Sequence, residues 1–298
     1  MLSWGRGNAK PPPDRLPSAL APASNQVMRL LVSGANGFLA QAVKAVLPHA
    51  WHVVGLARGT QSRDAFPMTY HTIESLLASE TTFDGVMHLA AQVCDPASGP
   101  AGFLPSNVDL CSTLVQAFPT ARHVLASSVS VYGPPGAGAI TIATACRPQL
   151  PYGRSKLAAE YVVGVAPDHA VIRLSSLLGR GMKPQTFVPR IIDDARTRKR
   201  ITLLGSGERL QNYLDVRDAA AMCLTAMQAD GHFVTLGVGS RSWSNREMAE
   251  MVASRLGAEI IHSGTDDSSS SVYSMNGCLK LGHTMRPIGT TLDWLVER

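Results

Sequence analysis

The sequence lacks any run of 18 or more apolar residues, the length that a membrane-spanning helix needs, so we predict no membrane span. Charged residues are scarce at 16%, whereas 45% of the residues are hydrophobic, which excludes disorder over most of the chain. The 26 glycines and 19 prolines follow no period, which excludes a collagen-like fibre. These absences leave a soluble globular protein with one large core or two smaller ones.

Spacings typical of metal sites are also absent. The five cysteines form no CxxC pair, and the nine histidines form no HExxH motif, so we predict no metal. An odd number of cysteines favours a reducing compartment over a disulfide framework, which predicts a cytoplasmic protein whose cysteines are buried. Met248, Met251 and His88 are likewise expected to pack in the interior.

The basic excess is mild, with 27 Lys and Arg against 22 Asp and Glu, for a net charge of +5. Its densest stretch, Arg190 to Arg200, has two interpretations that stay open: a solvated helix end, or a surface that attracts a phosphorylated ligand. No aromatic residues interleave with it, so nucleic acid is disfavoured as a partner.

Residues 1–27 differ from the rest because they are rich in proline and have no hydrophobic periodicity. They contain no apolar core of a secretory signal, so we predict a disordered tail, either native or artificial, before a working protein that begins at Met28.

From Met28 onward, short apolar runs alternate with amphipathic segments. The predicted strands are Met28 to Ser33, His52 to Leu56, Gly85 to Leu89, His123 to Ser127 and Ala170 to Leu174. This alternation predicts an α/β fold, a doubly wound parallel sheet of the Rossmann type. We assign residues 28–178 to a dinucleotide-binding domain to which 210–240 return, and 179–209 and 241–298 to a smaller interleaved substrate lobe.

A glycine pattern follows the first strand and precedes a helix. Gly34 allows the tight turn, Gly37 lets backbone N–H groups approach a pyrophosphate, and Ala40 is small enough for close packing of helix on strand. After the second strand, where an NAD site usually has a carboxylate, the chain has Arg58, which suits a 2′-phosphate. We therefore predict NADP as cofactor, with NAD as the alternative and Arg63 as a possible second contact.

Tyr152 and Lys156 lie one turn apart on a predicted helix. A tyrosine has an ordinary pKa near 10, so proton transfer near neutrality requires a stabilised phenolate, and a nearby ammonium provides that. The preceding strand carries Ser128 to the carboxyl edge of the sheet, where ligands of open α/β folds bind.

Four segments together resemble the extended short-chain dehydrogenases/reductases, the NAD(P)-dependent sugar epimerase/dehydratase family. They are Gly34 to Ala40, His88 to Ala91, Ser127 to Gly133 and Tyr152 to Lys156, and the likeness extends to about Leu295. The resemblance implies Tyr152 as catalytic acid/base, Lys156 as its tuner and Ser128 as the substrate anchor. It also implies a homodimer formed through helices. The predicted cofactor contacts are Gly34, Asn36, Gly37, Phe38, Leu39, Arg58, Leu89, Ala90, Ala91, Asn107, Tyr152 and Lys156.

Departures from the family pattern narrow the reaction. Family 4,6-dehydratases carry Asp-Glu after the catalytic threonine, where this chain has Val129-Ser130. Dehydration is therefore rejected, and decarboxylation is disfavoured by the lack of a nearby glutamate. Hydride transfer at a sugar carbon of a nucleotide sugar remains, as a 4-epimerase or a 4-ketoreductase.

The substrate lobe departs further from the family pattern. Gln211 stands where the family has the arginine that grips a nucleotide diphosphate, and Arg209 is two residues earlier. We predict Ser128, Ser130, Arg209 and Gln211 as substrate contacts. The alternatives are a reductase of a smaller ketone or aldehyde and, in another class, a non-catalytic NADP-binding sensor. Arg173 is either a site residue or a buried partner of a carboxylate.

Overall fold

The computed structural model describes residues 27–58, 65–93, 100–136, 138–275, 278 and 284–297. The predicted tail therefore lies outside the described residues except for Val27, as do Cys94 and Arg63. The strands are β1 Arg29–Ser33, β2 His52–Leu56, β3 Met68–Tyr70, β4 Gly85–His88, β5 Arg122–Ser128, β6 His169–Leu174, β7 Ser176–Leu178, β8 Arg200–Leu204, β9 Leu210–Asp215, β10 Phe233–Gly237, β11 Ser242–Ser244 and β12 Glu259–Ser263. The α-helices are α1 Phe38–Lys44, α2 Ile73–Ser79, α3 Leu110–Ala117, α4 Pro151–Val163, α5 Phe187–Arg198, α6 Val216–Gln228, α7 Asn245–Leu256 and α8 Ile288–Val296.

The large sheet has seven strands in the order β10-β6-β5-β4-β1-β2-β3, and every pair in it is parallel. All five predicted strands of the first half belong to it, so the predicted doubly wound parallel sheet is confirmed. Parallel pairing brings the carboxyl ends of these strands to one edge. The ends of β1, β4 and β5 carry Ser33, His88 and Ser128 to that edge.

Alternation along the strands covers both faces of this sheet with helices. Leu30 and Val32 of β1 pack in a cluster with residues of α1 and α6, such as Met222. Leu31, between them, packs on the opposite face with Leu114 of α3. β1 is thus buried on both sides, which is why its run is almost continuously apolar.

A smaller lobe follows β6. It contains a three-stranded sheet in the order β11-β9-β7 and a two-stranded sheet of β12 and β8. Its core unites α5, α7 and α8 around Ile191, Ile201, Met248 and Leu292, all fully or almost fully buried. Met248 is therefore a core residue, as predicted, while Met251 packs against this core partly buried.

Basic residues at the end of α5 bind carbonyl groups at the carboxyl ends of other helices. Arg196 donates to the carbonyl oxygens of Leu295 and Val296, at the carboxyl end of α8. Lys199 donates to the Leu256 carbonyl at the end of α7, at 2.9 Å. Cations are favourable at helix carboxyl ends, so these contacts support the helix-end interpretation of the two left open by the sequence.

No described helix is long and apolar enough to cross a membrane. Among the described residues, no group of three or more His, Cys, Asp or Glu side chains could hold a metal ion. Of the cysteines that the structure describes, Cys111, Cys223 and Cys278 are buried and Cys146 is half-buried.

Candidate active site

The turn between β1 and α1 requires glycine for steric reasons. Gly34 has φ +69°, and a Cβ there would lie 2.6 Å from the backbone N and Cα of Ala90, at the end of the neighbouring β4. The Gly37 N–H donates to the Gly34 carbonyl at 2.8 Å, which closes the turn. A larger residue at position 34 would push the two strand ends apart.

The residues after this turn are fixed from several sides. The Asn36 Oδ1 accepts from the Ala65 N–H at 3.1 Å, which ties the turn to the segment after β2. Leu39 is buried, and the Phe38 Cζ lies 3.2 Å from where a Cβ on Gly179 would be. Phe38 therefore packs on the chain that follows β7.

The end of β4 runs along the glycine turn. The Ala90 N–H donates to the Ser33 Oγ at 3.4 Å. Leu89 and Ala90 are half-buried and Ala91 is exposed. The backbone at this edge is therefore open to a ligand that lies across β1 and β4.

Asn107, predicted as a cofactor contact, is fully buried. Its Oδ1 accepts from the Gln92 N–H at 2.7 Å, and its Nδ2 donates to the Gln92 carbonyl at 3.0 Å and to the Ser155 Oγ at 2.9 Å. The side chain thus joins the loop after β4 to α4. In the structure Asn107 positions the site from within the protein.

Ser128 and Tyr152 are brought together. Ser128 ends β5, and its Oγ accepts from the Ser130 N–H at 3.1 Å, which starts the helical turn Val129–Tyr132. Burial raises the pKa of Tyr152, and a hydrogen bond with Ser128 opposes this by lowering it. This is the pair expected of a proton-transfer group and its anchor.

The glycine after Tyr152 makes this approach sterically feasible. A Cβ on Gly153 would lie only 2.4 Å from the Ser130 carbonyl oxygen. Since Pro151 occupies the first turn of α4, where no N–H is needed, the helix begins directly against the turn Val129–Tyr132. The sequence Pro-Tyr-Gly therefore sets how closely Tyr152 approaches Ser128.

Lys156 is 1% exposed, although it carries an ammonium. Burial lowers its pKa, whereas Cys111 and Glu160 raise it. Lysines are rarely buried without a function, because desolvating a charge is costly. A buried ammonium one turn from Tyr152 is the expected arrangement for tuning a phenol.

Glu160, which the sequence analysis missed, pairs with Arg173 inside the protein. The Arg173 Nη2 lies 2.7 Å from the Glu160 Oε2, and the Arg173 Nη1 donates to the Tyr132 Oη at 3.0 Å. Ser127 donates to the Glu160 Oε1. Arg173 is thus a buried carboxylate partner, and the signal that could have identified Glu160 is its position one turn after Lys156.

Arg58 lies just beyond β2 and is exposed. The preceding Ala57 N–H donates to the Tyr70 carbonyl at 3.0 Å, which fixes the end of the strand. Among the described residues, no carboxylate pairs with Arg58. Its guanidinium is available to an anion.

Arg209 and Gln211 lie in the small lobe. The Gln211 Nε2 donates to the Asn245 Oδ1 at 3.0 Å, and the Arg209 Nε donates to the Ser269 carbonyl at 3.4 Å. Tyr213, in the same strand, is buried, and its hydroxyl lacks a hydrogen-bond partner within the described part of the chain. No described contact joins these residues to Tyr152 or Ser128.

The residues at the sheet edge fit a nicotinamide dinucleotide. A Cβ at Gly34 would clash with the Ala90 backbone, so glycine lets the ends of β1 and β4 lie close enough for one ligand to span both. Tyr152 and Lys156 lie one turn apart on α4, and their donor groups suit a reacting oxygen and a ribose.

A comparison with protein families finds the NAD dependent epimerase/dehydratase family over residues 30–239. A UDP-glucose 4-epimerase of Corynebacterium glutamicum is 25% identical over 261 residues, covering 75% of this chain and 79% of the relative. This chain covers 34% of the length of another curated relative.

Solved structures agree on the fold. MoeE5 in complex with UDP-glucuronic acid and NAD has a TM-score of 0.73 and 25% identity, covering 90% of this chain and 98% of that one. A UDP-glucose 4-epimerase from Thermotoga maritima has a TM-score of 0.77 and 19% identity, covering 90% and 97%, which is a likeness of fold alone.

Proposed function

Because the chain belongs to the NAD dependent epimerase/dehydratase family, whose members are NAD-dependent oxidoreductase-type enzymes, we propose that it transfers a hydride at C4 of the sugar of a nucleotide sugar. The reaction is that of a 4-epimerase or of a 4-ketoreductase. The observation that carries the proposal is the placement of Tyr152 beside Ser128, which lowers the Tyr152 pKa against the effect of burial, at the carboxyl edge of the sheet.

In this proposal Tyr152 moves the proton and Ser128 holds the reacting oxygen. The Tyr152 Oη accepts the proton of a carbinol and returns one to the ketone, while the Ser128 Oγ keeps that oxygen in reach. Burial raises the pKa of Tyr152, so loss of its proton needs an opposing positive charge. Lys156 is the group proposed to supply that charge. The bound nicotinamide cofactor supplies the chemistry of hydride acceptance and return.

NADP is the cofactor that Arg58 favours, and NAD is the alternative. An exposed guanidinium after β2 suits a 2′-phosphate, and the position lacks the carboxylate that would repel it. The residues that would hold either cofactor are the backbone at Gly34, Asn36, Gly37, Phe38 and Leu39, the segment Leu89, Ala90 and Ala91, and the side chains of Tyr152 and Lys156, with Asn107 positioning them.

The substrate is bound by the small lobe. Arg209, the cation two residues before Gln211, would contact the diphosphate, and Ser130 would contact the sugar. Relatives named for UDP-glucose support a nucleoside diphosphate sugar. Residues 28–178 with 210–240 make up the proposed cofactor half, except that β7 and β9 pair into the small sheet with β11, and residues 179–209 with 241–298 make up the substrate half.

A second candidate is the reduction of a smaller ketone or aldehyde without a nucleotide. It is favoured by Gln211, whose amide bonds to Asn245 and carries no charge for a phosphate. Raised melting temperature with a nucleoside diphosphate supports the first candidate, and no rise supports the second.

We also propose a cytoplasmic homodimer. Tyr161 and Val165, one turn apart at the end of α4, are each 75% exposed, and Leu104 is 48% exposed. Large apolar side chains grouped on one side suggest a covered surface. Replacement of Tyr161 by Arg should convert a dimer to a monomer in analytical ultracentrifugation, and an unchanged mass would place the interface elsewhere.

Mass spectrometry of the small molecules released from the denatured protein tests the proposed function. A tightly retained oxidised cofactor with a nucleotide sugar supports a 4-epimerase, and an exchangeable site supports a ketoreductase. The proposal is wrong if neither cofactor binds and no nucleotide sugar is converted by the purified protein.

A further inference from the structure

Two buried histidines form a chain of hydrogen bonds beneath Lys156. His88 ends β4 and His123 is in the neighbouring β5, and both are 0% exposed. The His88 Nε2 and the His123 Nδ1 are 2.9 Å apart, and the two rings are stacked. The His123 Nε2 lies 3.0 Å from the Phe118 carbonyl oxygen.

This chain fixes the tautomer of both rings. A carbonyl oxygen can only accept, so the His123 Nε2 carries the proton that it donates to Phe118. In the neutral ring the His123 Nδ1 is then an acceptor, and the His88 Nε2 must donate to it. What remains on His88 is a lone pair at Nδ1.

That lone pair has no partner among the described residues, although it is buried. Burial, His123 and Lys156 lower the pKa of His88 well below its ordinary value, so the ring is neutral. Cys111 of α3 and Glu160 of α4 are the other titratable groups near Lys156. An unpaired buried acceptor is costly, so a donor is expected to meet it.

We propose that His88 is a positioning residue for Lys156: its Nδ1 accepts a hydrogen bond from a water molecule that itself accepts from the ammonium, and His123 locks the ring in the tautomer that can do so. The other tautomer would point an N–H at a cation. The inference rests on the proposed role of Lys156, yet the hydrogen-bond chain can be tested without cofactor or substrate.

Nitrogen NMR on protein labelled with ¹⁵N-histidine tests the tautomers without a mutation. We expect both His88 and His123 to carry the proton on Nε2 in the cofactor-free protein. A proton on the His88 Nδ1 would overturn the proposal.

Matched variants test the effect on Lys156. Asn at position 88 keeps an acceptor near the Nδ1 position, whereas Leu removes it, so the pKa of labelled Lys156 should fall in His88→Leu and stay nearer to wild type in His88→Asn. His123→Asn keeps an acceptor for the His88 Nε2 proton, whereas His123→Leu removes it and no longer fixes the His88 tautomer. The pKa of Lys156 should therefore fall in His123→Leu and stay nearer to wild type in His123→Asn. His262→Leu, at an exposed position of β12 in the small lobe, is the control.

The pH dependence of turnover tests the positioning role of His88 independently. The pH midpoint of the rate should move to higher pH in His88→Leu, because a weakened ammonium stabilises the Tyr152 phenolate less, with a loss of about tenfold at neutral pH. An unchanged Lys156 pKa in folded His88→Leu contradicts the inference. If Lys156 responds but no nucleotide sugar is converted, the proposed function fails and the inference stands.

Discussion

Glu160 and Arg173 form a buried ion pair directly behind the strand end that carries Ser128. Their side chains are 8% and 10% exposed, and the Arg173 Nη2 lies 2.7 Å from the Glu160 Oε2. Tyr132 accepts from the same guanidinium and Ser127 donates to the same carboxylate, so β5, β6, α4 and the turn after β5 meet at one point. The pair keeps the floor of the site rigid.

Removing one member of this pair should strongly destabilise the fold. Arg173→Met leaves the Glu160 carboxylate buried and uncompensated, which costs about 3–5 kcal/mol in the free energy of unfolding. Arg198→Met is the matched control, because the Arg198–Asp194 pair has an arginine that is 75% exposed. Loss of the Arg198–Asp194 pair should change the free energy of unfolding in denaturant by less than about 0.5 kcal/mol. Equal effects of the two variants would contradict the structural role of Arg173.

Gly153→Ala should reverse the usual effect of alanine in a helix. Helix propensity alone favours alanine by about 1 kcal/mol, but a Cβ at Gly153 would lie 2.4 Å from the Ser130 carbonyl oxygen. Overpacking of this kind costs about 1–3 kcal/mol, so we expect lower stability and lower turnover. Gly136→Ala, with nothing within 4 Å of its Cβ, should leave both unchanged. A more stable, fully active Gly153→Ala would show that α4 does not need this close approach.

Ser128→Ala should shift the pH dependence of turnover. The bond with Ser128 lowers the pKa of Tyr152 against the raising effect of burial. Without it the pKa rises, so in the oxidative direction, where Tyr152 must lose its proton, the rate should increase with pH around a higher midpoint. Ser128→Thr keeps the hydroxyl and should keep the midpoint. A midpoint that is the same in all three proteins would assign the titration to another group.

Arg58→Asp should change cofactor choice. Loss of a charge-assisted bond to a 2′-phosphate weakens NADPH binding by about 10- to 100-fold, and the new carboxylate suits the 2′-hydroxyl of NADH. Isothermal titration with NADPH and with NADH measures the ratio of the two affinities, which should move toward NADH. A wild-type protein that prefers NADH would remove the basis for NADP.

The sequence predicted the cofactor half well because its signals are local. The apolar run of β1, the glycine turn and the spacing of Tyr152 to Lys156 each depend on a few neighbouring residues. The family assignment follows from those motifs and is confirmed by the match over residues 30–239.

What the sequence did not predict depends on contacts between distant segments. Strands β3, β7 and β11 have three residues each, too few for a periodic pattern, and β12 forms only by pairing with β8. The pairing of Glu160 with Arg173, and of His88 with His123, needs the order of strands and helices to be known. The internal role of Asn107 likewise depends on the packing of α4 against the loop after β4, because its side chain bonds to Ser155 of α4.

Isotope transfer tests the central claim most directly. The protein is incubated with a nucleotide sugar that carries deuterium at C4 and with oxidised cofactor, and the nicotinamide and the sugar are both analysed after quenching. We predict deuterium at C4 of the nicotinamide ring during turnover, none in Tyr152→Phe at equal cofactor occupancy, and full transfer in the control Tyr161→Phe. An active wild-type protein in which no deuterium is found on the quenched nicotinamide, or transfer that persists without the Tyr152 hydroxyl, would contradict the account.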